Sequence, residues 1–379
     1  MPQTFQPFAL ERLLSRWEHA VTYNLSESGV HPLTLKELVA YQPRLMEEML
    51  ATELGYAVTN GSPALREAIA HWYPGATVDN VLVTVGCIEA NFLVLTTLLQ
   101  PGDQVAIQVP NYLQTWGIAH NMGAVPTTFS LNPDQEWALD VAALEAAVTD
   151  QTRLIAVCNP NNPTGKVFTS TEMEAVIRIA EARGAWLLAD EVYAGAERET
   201  DRFTPTFYGR YDRVLATGSL SKAYGLPGLR VGWVVGPAEM IEQLWARHDY
   251  LTISTTRLAD ILATLALSPQ VRPHLLQRGR HYIRRGWSIL EAWVRENAPL
   301  VSLVPPQAGA IAFPRYHLAI DSVTLVDRLI REHSVLVAAG DYFGIPHHLR
   351  ISYGLEPEVL QEGLRRISTL LHQIAQEEE

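Results

Sequence analysis

The feature that most constrains this chain is a repeated alternation of short apolar runs with helical stretches, from about residue 55 to about residue 267. The runs are apolar throughout rather than at every second position. Strands of that kind are typical of a parallel sheet that helices cover on both faces. The sequence therefore predicts an α/β fold with a mostly parallel sheet, whose strands lie at 81–85, 105–109, 153–158, 186–189 and 214–217.

The C-terminal part of the chain has a different rhythm, which predicts a smaller α+β domain. A long helical stretch at 277–296 leads into short apolar runs at 301–304 and 310–313. A helix at 323–332, strands at 335–338 and 349–352 and a final helix are expected after them. The first 44 residues lack any strand–helix rhythm, and we expect them to pack on this small domain. The predicted division is an N-terminal segment, a large domain and a small domain, at 1–44, 45–275 and 276–379.

Composition and charge narrow the classes of function. The chain has 47% hydrophobic residues and carries 29 basic against 41 acidic residues, for a formal charge of −12. Such an acidic chain is a poor general binder of nucleic acid or anionic membranes. Cys87 and Cys158 have neither disulfide-framework nor zinc spacing, and we find no signal peptide and no long apolar span. We therefore expect a cytoplasmic protein without a bound metal, in which both thiols belong to the core.

A lysine that directly follows a predicted strand is the first candidate for chemistry. Lys222 ends the run Ser219-Leu220-Ser221-Lys222, and Arg230 follows eight residues later. Ligands of α/β sheets bind outside the carboxyl ends of strands. A lysine there is costly to bury without a partner or a covalent function, and an arginine can hold an anion by a forked contact. Taken alone, a solvated basic loop explains the same residues.

Two further strand ends carry polar side chains. The strand at 186–189 leads into Asp190 and Tyr193, and the strand at 153–158 leads into the loop 158–166, which contains Asn162. Asp190 can cap a helix or bind a metal, although no cluster of His and Asp residues accompanies it, and a cationic partner nearby would favour its ionised form. The amide of Asn162 offers both donors and an acceptor.

Together the three motifs resemble those of the class I and II aminotransferases, which are pyridoxal-phosphate enzymes of fold type I. The loop Asn-Pro-x-Asn-Pro-Thr-Gly, the strand-end Asp-x-x-Tyr and the Ser-x-Ser-Lys with its later arginine occur here in the family's order and spacing. The resemblance covers nearly the whole chain. It implies pyridoxal 5′-phosphate as the cofactor, an amino acid as the substrate, and a homodimer with shared active sites.

The resemblance also implies a role for each matching residue. Lys222 would form the covalent bond to the cofactor aldehyde, and Asp190 would pair with the ring nitrogen. Arg350 would bind the α-carboxylate of the substrate. The other implied cofactor contacts are Tyr112, Asn162, Tyr193, Ser219 and Arg230, the turn at Gly86, Cys87 and Ile88, and Tyr56, which would reach the neighbouring subunit's phosphate. The family often has polar residues where this chain has Cys87 and Ile88, so backbone amides would bind the phosphate there.

The N-terminal segment contains residues that indicate which reaction the protein catalyses. Glu11 and the run Ser28-Gly29-Val30-His31 resemble the capreomycidine-synthase branch of the family, which cyclises a hydroxylated arginine. That resemblance implies that Gly29 and Glu11 bind substrate, with Glu11 pairing with its guanidinium, and that His31 moves protons. His31 can instead hydrogen-bond its own loop, and Glu11 can be a first-turn acid of a helix. An ordinary aminotransferase and a silent binding module on the same scaffold remain the alternatives.

Overall fold

The computed structural model describes residues 5–378, in which helices and strands alternate along most of the chain. The strands are β1 (Tyr23–Asn24), β2 (Val81–Thr84), β3 (Gln104–Val109), β4 (Val125–Asn132), β5 (Ala138–Leu139), β6 (Thr152–Cys158), β7 (Trp186–Asp190), β8 (Val214–Ser219), β9 (Gly232–Val235), β10 (Val301–Ser302), β11 (Ile311–Ala312), β12 (Arg315–Tyr316), β13 (Val335–Leu336), β14 (Ala338–Ala339) and β15 (Leu349–Ser352). The helices are α1 (Ala9–Trp17), α2 (Leu35–Val39), α3 (Leu45–Leu50), α4 (Pro63–Ala70), α5 (Cys87–Leu98), α6 (Gln114–Asn121), α7 (Val141–Ala147), α8 (Ser170–Arg183), α9 (Ala238–His248), α10 (Arg257–Leu267), α11 (Arg272–Glu296), α12 (Ser322–His333) and α13 (Pro357–Glu378). Within the described range, no helix is both long and apolar enough to cross a membrane.

One eight-stranded sheet organises the larger part of the molecule, in the order β2-β9-β8-β7-β6-β3-β4-β5. Strands β4, β3, β6, β7 and β8 run parallel to one another, whereas β9 is antiparallel to its two neighbours. Side chains on one face pack with α8 and those on the other with α5, in two separate hydrophobic clusters. This arrangement confirms the predicted α/β fold with a mostly parallel sheet.

All five strands predicted for the large sheet are present as β2, β3, β6, β7 and β8, with bounds that differ by one or two residues. The prediction misses β4, β5 and β9, of which β5 has only two residues. Strand β4 lies near one end of the sheet and exposes several of its residues, so it lacks an unbroken apolar run. Strand β9 has only four residues and begins two residues after Arg230.

Smaller sheets form the C-terminal part. Strands β11, β15 and β14 make a three-stranded sheet, and β10 pairs with β12. The predicted strand at 335–338 is two short strands, β13 and β14, and the apolar run at 301–304 contains the two residues of β10. Helix α11 crosses residue 275, so the predicted domain limit falls inside a helix. The division into domains stays a prediction.

The N-terminal segment contacts both parts of the molecule. Strand β1 pairs in parallel with β13 of the C-terminal part. Helix α1, however, buries Leu10 in the cluster that also contains Phe129 of β4. Gln6 and Asn121 of α6 add two reciprocal hydrogen bonds of 2.8 and 3.0 Å. The sequence alone did not predict this second contact, because it depends on the apolar face of a short helix.

We predict that Gly286→Ala destabilises the protein. Gly286 lies in α11, and a Cβ atom there would overlap the carbonyl oxygen of Tyr353, which follows β15. A backbone oxygen cannot turn away as a side chain can, so the expected cost is about 1–3 kcal/mol. The midpoint of thermal unfolding measures it.

The matched control for that prediction is Gly117→Ala. Gly117 is also helical, in α6, but a Cβ atom there would meet nothing within 4 Å. Alanine has the higher helix propensity, so this variant should be neutral or slightly more stable. Equal unfolding midpoints for the two variants would contradict the packing argument.

Candidate active site

A cavity of about 320 Å³ lies beyond the carboxyl ends of β6, β7 and β8. The last residues of these strands, Cys158, Asp190 and Ser219, all line it. The predicted site residues among its lining are Glu11, Cys87, Ile88, Tyr112, Asn162, Asp190, Tyr193, Ser219, Lys222, Arg230 and Arg350. The fold therefore brings the N-terminal segment, the large sheet and β15 together at one place.

Lys222 follows β8 by three residues and donates a hydrogen bond of 2.7 Å from Nζ to Oγ of Ser28. Burial is the main cause that lowers the pKa of this lysine, while the negative charge of Glu27 acts in the opposite direction. A lowered pKa increases the share of neutral amine, which is the form that attacks an aldehyde. The surroundings of Lys222 thus suit a nucleophile.

Asp190 accepts hydrogen bonds at both carboxylate oxygens. Nδ2 of Asn91 donates to Oδ2 at 2.9 Å, and the backbone N–H of Val192 donates to Oδ1 at 3.1 Å. The Sγ atom of Cys87 lies 3.7 Å from the same Oδ1. Burial raises the pKa of Asp190, and the bond from Asn91 lowers it. A cation beside Asp190 would favour the charged carboxylate.

The turn before α5 is shaped for an anion. Gly86 is the N-cap of this helix and has a φ of 77°, a left-handed conformation that glycine adopts readily. A Cβ atom on Gly86 would lie 2.5 Å from Nη2 of Arg230, so the arginine packs directly on the turn. Ser219 lines the cavity beside them. A helix N-terminus with unpaired N–H groups next to an arginine is suited to a phosphate.

The guanidinium of Arg350 is buried, since only 2% of the residue's surface is exposed. Nη1 donates to Oδ1 of Asn162 at 3.2 Å, and Nη2 donates to the carbonyl of Ser26 at 2.6 Å. Its Nε and the hydroxyl of Tyr193 are buried without a hydrogen bond among residues 5–378. Burial lowers the pKa of Arg350. An incoming carboxylate would supply the missing charge and acceptors.

Glu11 of the N-terminal segment lines the cavity, and Gly29 lies next to Lys222. Oε1 of Glu11 accepts a hydrogen bond of 2.6 Å from the hydroxyl of Tyr112. Burial, and then the charge of Glu11, raises the pKa of Tyr112. Gly29 packs so closely that a Cβ atom there would lie 2.8 Å from the carbonyl oxygen of Ser221. The segment is thus fixed against the chain next to Lys222.

Two predicted residues lie apart from this cavity. The imidazole of His31 stacks on Tyr282 with 5.5 Å between ring centroids, and its Nε2 is 3.8 Å from Glu356. Tyr56 is 85% exposed and lines a separate surface groove. The structure does not bring either side chain to the other candidates within one chain, and their roles stay predictions.

Sequence reasoning misses Asn91, Gln114 and Ser28. Asn91 bonds Asp190, and Gln114 donates to the carbonyl of Ile88 at 2.7 Å. Asn91 lies one helical turn after Cys87, on the same face of α5. That spacing is the signal that could have identified it. No spacing in the sequence pairs Ser28 with Lys222, because 194 residues separate them.

Comparison with known proteins identifies the family to which this site belongs. A family model described as aminotransferase class I and II matches residues 23–367. The chain belongs to this family. This aminotransferase-family chain is 32% identical to a capreomycidine synthase from Streptomyces vinaceus, over 97% of this chain and 94% of that protein. The relationship confirms the family predicted from the motifs.

Solved structures confirm the fold of this family member. A PLP-dependent aminotransferase from Streptococcus suis superposes with a TM-score of 0.91 at 32% identity, covering 98% of this chain and 99% of that one. The PLP-dependent cyclase OrfR, solved in complex with Au, gives 0.88 at 28% identity, covering 98% and 99%. The fold is that of a fold-type I enzyme, and the cofactor is pyridoxal phosphate.

The residues present fit this cofactor. The glycine turn with Arg230 offers a place for the phosphate, and Lys222 an amine for the aldehyde. Asp190 offers a carboxylate for a cationic ring nitrogen, and the unbonded hydroxyl of Tyr193 offers a donor for the ring oxygen. These groups come from separate loops, yet they line one cavity.

We predict that Asn91→Ala weakens cofactor binding. Loss of the bond to Oδ2 raises the pKa of Asp190, so the carboxylate is a poorer partner for the ring nitrogen. A hydrogen bond to a charged group contributes about 1.5–3 kcal/mol, so the dissociation constant should rise at least about tenfold. Equilibrium titration of the cofactor-free protein measures it.

The control for Asn91 is Asn121→Ala. Asn121 is also a helical asparagine with hydrogen bonds, but it lies on the surface of α6 against Gln6. Its replacement should leave the dissociation constant unchanged. An Asn91→Ala protein that binds the cofactor as tightly as the unaltered one would exclude the positioning role.

Proposed function

We propose that this enzyme removes water from a hydroxylated L-arginine and closes the guanidine into a ring, which gives a cyclic guanidino amino acid of the capreomycidine or enduracididine type for specialised metabolism. The observation that carries the proposal is the acidic lining that the N-terminal segment adds to the cavity. Glu11, Glu18 and Glu27 all line it. The names of two similar proteins, a capreomycidine synthase and a cyclase, support the same reading.

The charged side chains that line the cavity favour a substrate with a cationic side chain. The basic residues of the lining are Lys222, Arg230 and Arg350, and the cofactor and the substrate carboxylate engage all three. Glu18 lies 3.3 Å from His19, whereas Glu27 has no ion pair or hydrogen bond within residues 5–378. Glu11 holds only the hydroxyl of Tyr112. Two carboxylates are therefore available for a guanidinium.

In the proposed reaction, some residues bind the substrate and others transfer protons. Arg350 holds the α-carboxylate, and Nζ of Lys222 takes the proton from Cα. Asp190 keeps its charge close to the ring nitrogen, which bound pyridoxal phosphate needs in order to act as the electron sink of the reaction. Glu11 and Glu27 orient the guanidinium so that one of its nitrogens reaches the carbon that loses the hydroxyl. Attack at the β-carbon closes a six-membered ring, and attack at the γ-carbon closes a five-membered ring.

His31 is the proposed donor of the proton that leaves with the hydroxyl. Imidazole transfers protons near neutral pH, and Gly29, two residues earlier, already packs on the backbone of Lys222. In the structure its ring contacts Tyr282 and Glu356. The proposed role therefore requires the ring to turn from those partners when substrate is bound.

We also propose a homodimer in which Tyr56 reaches the phosphate of the partner. Leu50, Leu54 and Tyr56 are each more than 80% exposed, in one stretch of the chain. Apolar side chains exposed together are typical of a surface that another protein covers. Ile88, in the predicted phosphate-binding turn, is also 41% exposed. A second copy of the chain would cover these groups.

The second candidate function is an ordinary amino-acid aminotransferase. The aminotransferase from Streptococcus suis, at 32% identity over nearly the full length, favours it. The cofactor residues are the same for both reactions, because both begin with loss of the α-proton. Only the fate of the substrate distinguishes them.

We predict that the cofactor-loaded enzyme converts β- or γ-hydroxyarginine to a product lighter by one water, with all nitrogen atoms retained. Mass spectrometry of the product and an ammonia assay measure this outcome. Lys222→Ala should give no product, since the chain then lacks the base for the α-proton. Formation of glutamate from 2-oxoglutarate, with a keto acid in place of the ring, would replace this proposal with the aminotransferase.

Variants of the acidic lining should separate binding from chemistry. Glu11→Gln and Glu27→Gln remove a charge at nearly constant shape, and each should raise KM for hydroxyarginine about tenfold or more while sparing a non-guanidino amino acid. His31→Ala should instead lower kcat for water loss by about 10²–10⁴ and leave exchange of the α-proton intact.

The matched control is Glu37→Gln, which alters a capping residue of α2 outside the cavity and should leave KM unchanged. Deuterium exchange at Cα and the rate of water loss are measured on each protein. Wild-type kinetics in Glu11→Gln, Glu27→Gln and His31→Ala together would contradict the assigned roles.

A further inference from the structure

A second cavity lies behind the first one, and Val192 and Ser219 line both. It encloses about 220 Å³, and aromatic rings dominate its walls. The rings belong to Trp72, Tyr73, Phe203, Tyr224 and Trp233. The reaction proposed above uses none of these side chains.

Arg272 brings a positive charge into this aromatic cavity. Only 2% of its surface is exposed, and its guanidinium carbon lies 3.1 Å from the centre of the Trp72 ring and 4.8 Å from that of Phe203. Nε donates to the hydroxyl of Tyr224 at 2.7 Å. Nη1 and Nη2 have no hydrogen bond, and no carboxylate forms an ion pair with Arg272, within residues 5–378.

The nearby carboxylates do not neutralise this charge. Glu197 pairs with Arg280 at 2.6 Å and accepts further bonds from Gly195 and Thr204. Glu191 lines the cavity, but it accepts from the backbone of Phe207 and the hydroxyl of Thr206, and burial raises its pKa to about 8. Burial therefore favours the uncharged form of Glu191. Neither carboxylate pairs with Arg272, and the aromatic rings offset its charge only in part.

A second donor faces the same space. The hydroxyl of Tyr73 accepts a hydrogen bond of 2.9 Å from Nε1 of Trp233. Its own proton has no acceptor within the described chain, and Tyr73 lines the cavity. A buried cation with two free amino groups and a free phenolic proton are complementary to a carboxylate.

We propose that this cavity binds a small carboxylate whose body is flat and apolar. The carboxylate would contact Nη1 and Nη2 of Arg272 and the hydroxyl of Tyr73, and the body would lie among Phe203, Tyr224 and Trp233. The proposal uses none of the residues assigned to the cyclisation, so it stands or falls independently of the proposed function.

The test uses the cofactor-loaded enzyme with 4-bromobenzoate as the probe. Crystals soaked in it should show an anomalous bromine peak in the second cavity, with the carboxylate on Arg272. Titration calorimetry should show saturable binding that Arg272→Met weakens by about tenfold to a hundredfold. 4-Bromobenzamide, which has the same shape without the charge, should not bind.

Arg331→Met is the matched control, because Arg331 also lies over a tryptophan ring, that of Trp17, but on the surface. The Arg331→Met enzyme should bind the probe with the same affinity as the unaltered enzyme. If Arg272→Met fails to fold, Tyr73→Phe keeps the ring, removes the second donor, and should weaken binding several-fold. Absence of bromine from the cavity, or equal affinity in the tested cavity variant and the unaltered enzyme, would overturn the proposal.

Discussion

The cavity depends on charges that the fold holds out of water without neutralising them. Within residues 5–378, Arg350 is almost fully buried and its Nε has no hydrogen bond, and the hydroxyl of Ser28 is the one hydrogen-bond partner of Nζ of Lys222. Burial disfavours the charged form of each and lowers its pKa. Arg350 lies within β15 and Lys222 lies just after β8, and both line the cavity, where a charged ligand would offset the cost of burial. The positions of Asn162, Asp190 and Ser219 follow from the same sheet edge.

Much of the site was predictable because strand ends meet at one edge of a parallel sheet. Asn162, Asp190 and Lys222 are separated in sequence, but each lies at or just after the end of a buried strand, and those strands are neighbours in the sheet. The apolar runs that predict the strands therefore also indicate which polar residues come together, namely those at or just after the strand ends. The chemical role of each residue came from the resemblance to the family, because sequence spacing alone does not predict it.

The N-terminal segment was harder to predict, for a physical reason. Its conformation depends on contacts with distant parts of the chain, such as β1 on β13 and Leu10 on the cluster around Phe129. No local periodicity encodes those partners. Hence Glu11 was foreseen at the cavity, Ser28 was missed, and the ring of His31 faces Tyr282 and Glu356 outside the cavity lining.

The pairing of β1 with β13 has a consequence for how a substrate is gripped. Leu25 continues this pairing through its bond to Leu336, and it accepts a bond from Ser352, two residues after Arg350. Backbone hydrogen bonds therefore connect the stretch that carries Glu27 to the strand that carries Arg350, although more than 300 residues separate the two in sequence. Ser28 of the same stretch accepts the hydrogen bond of Lys222. A change that weakens the pairing of β1 would therefore disturb Glu27, Arg350 and the partner of Lys222 at the same time.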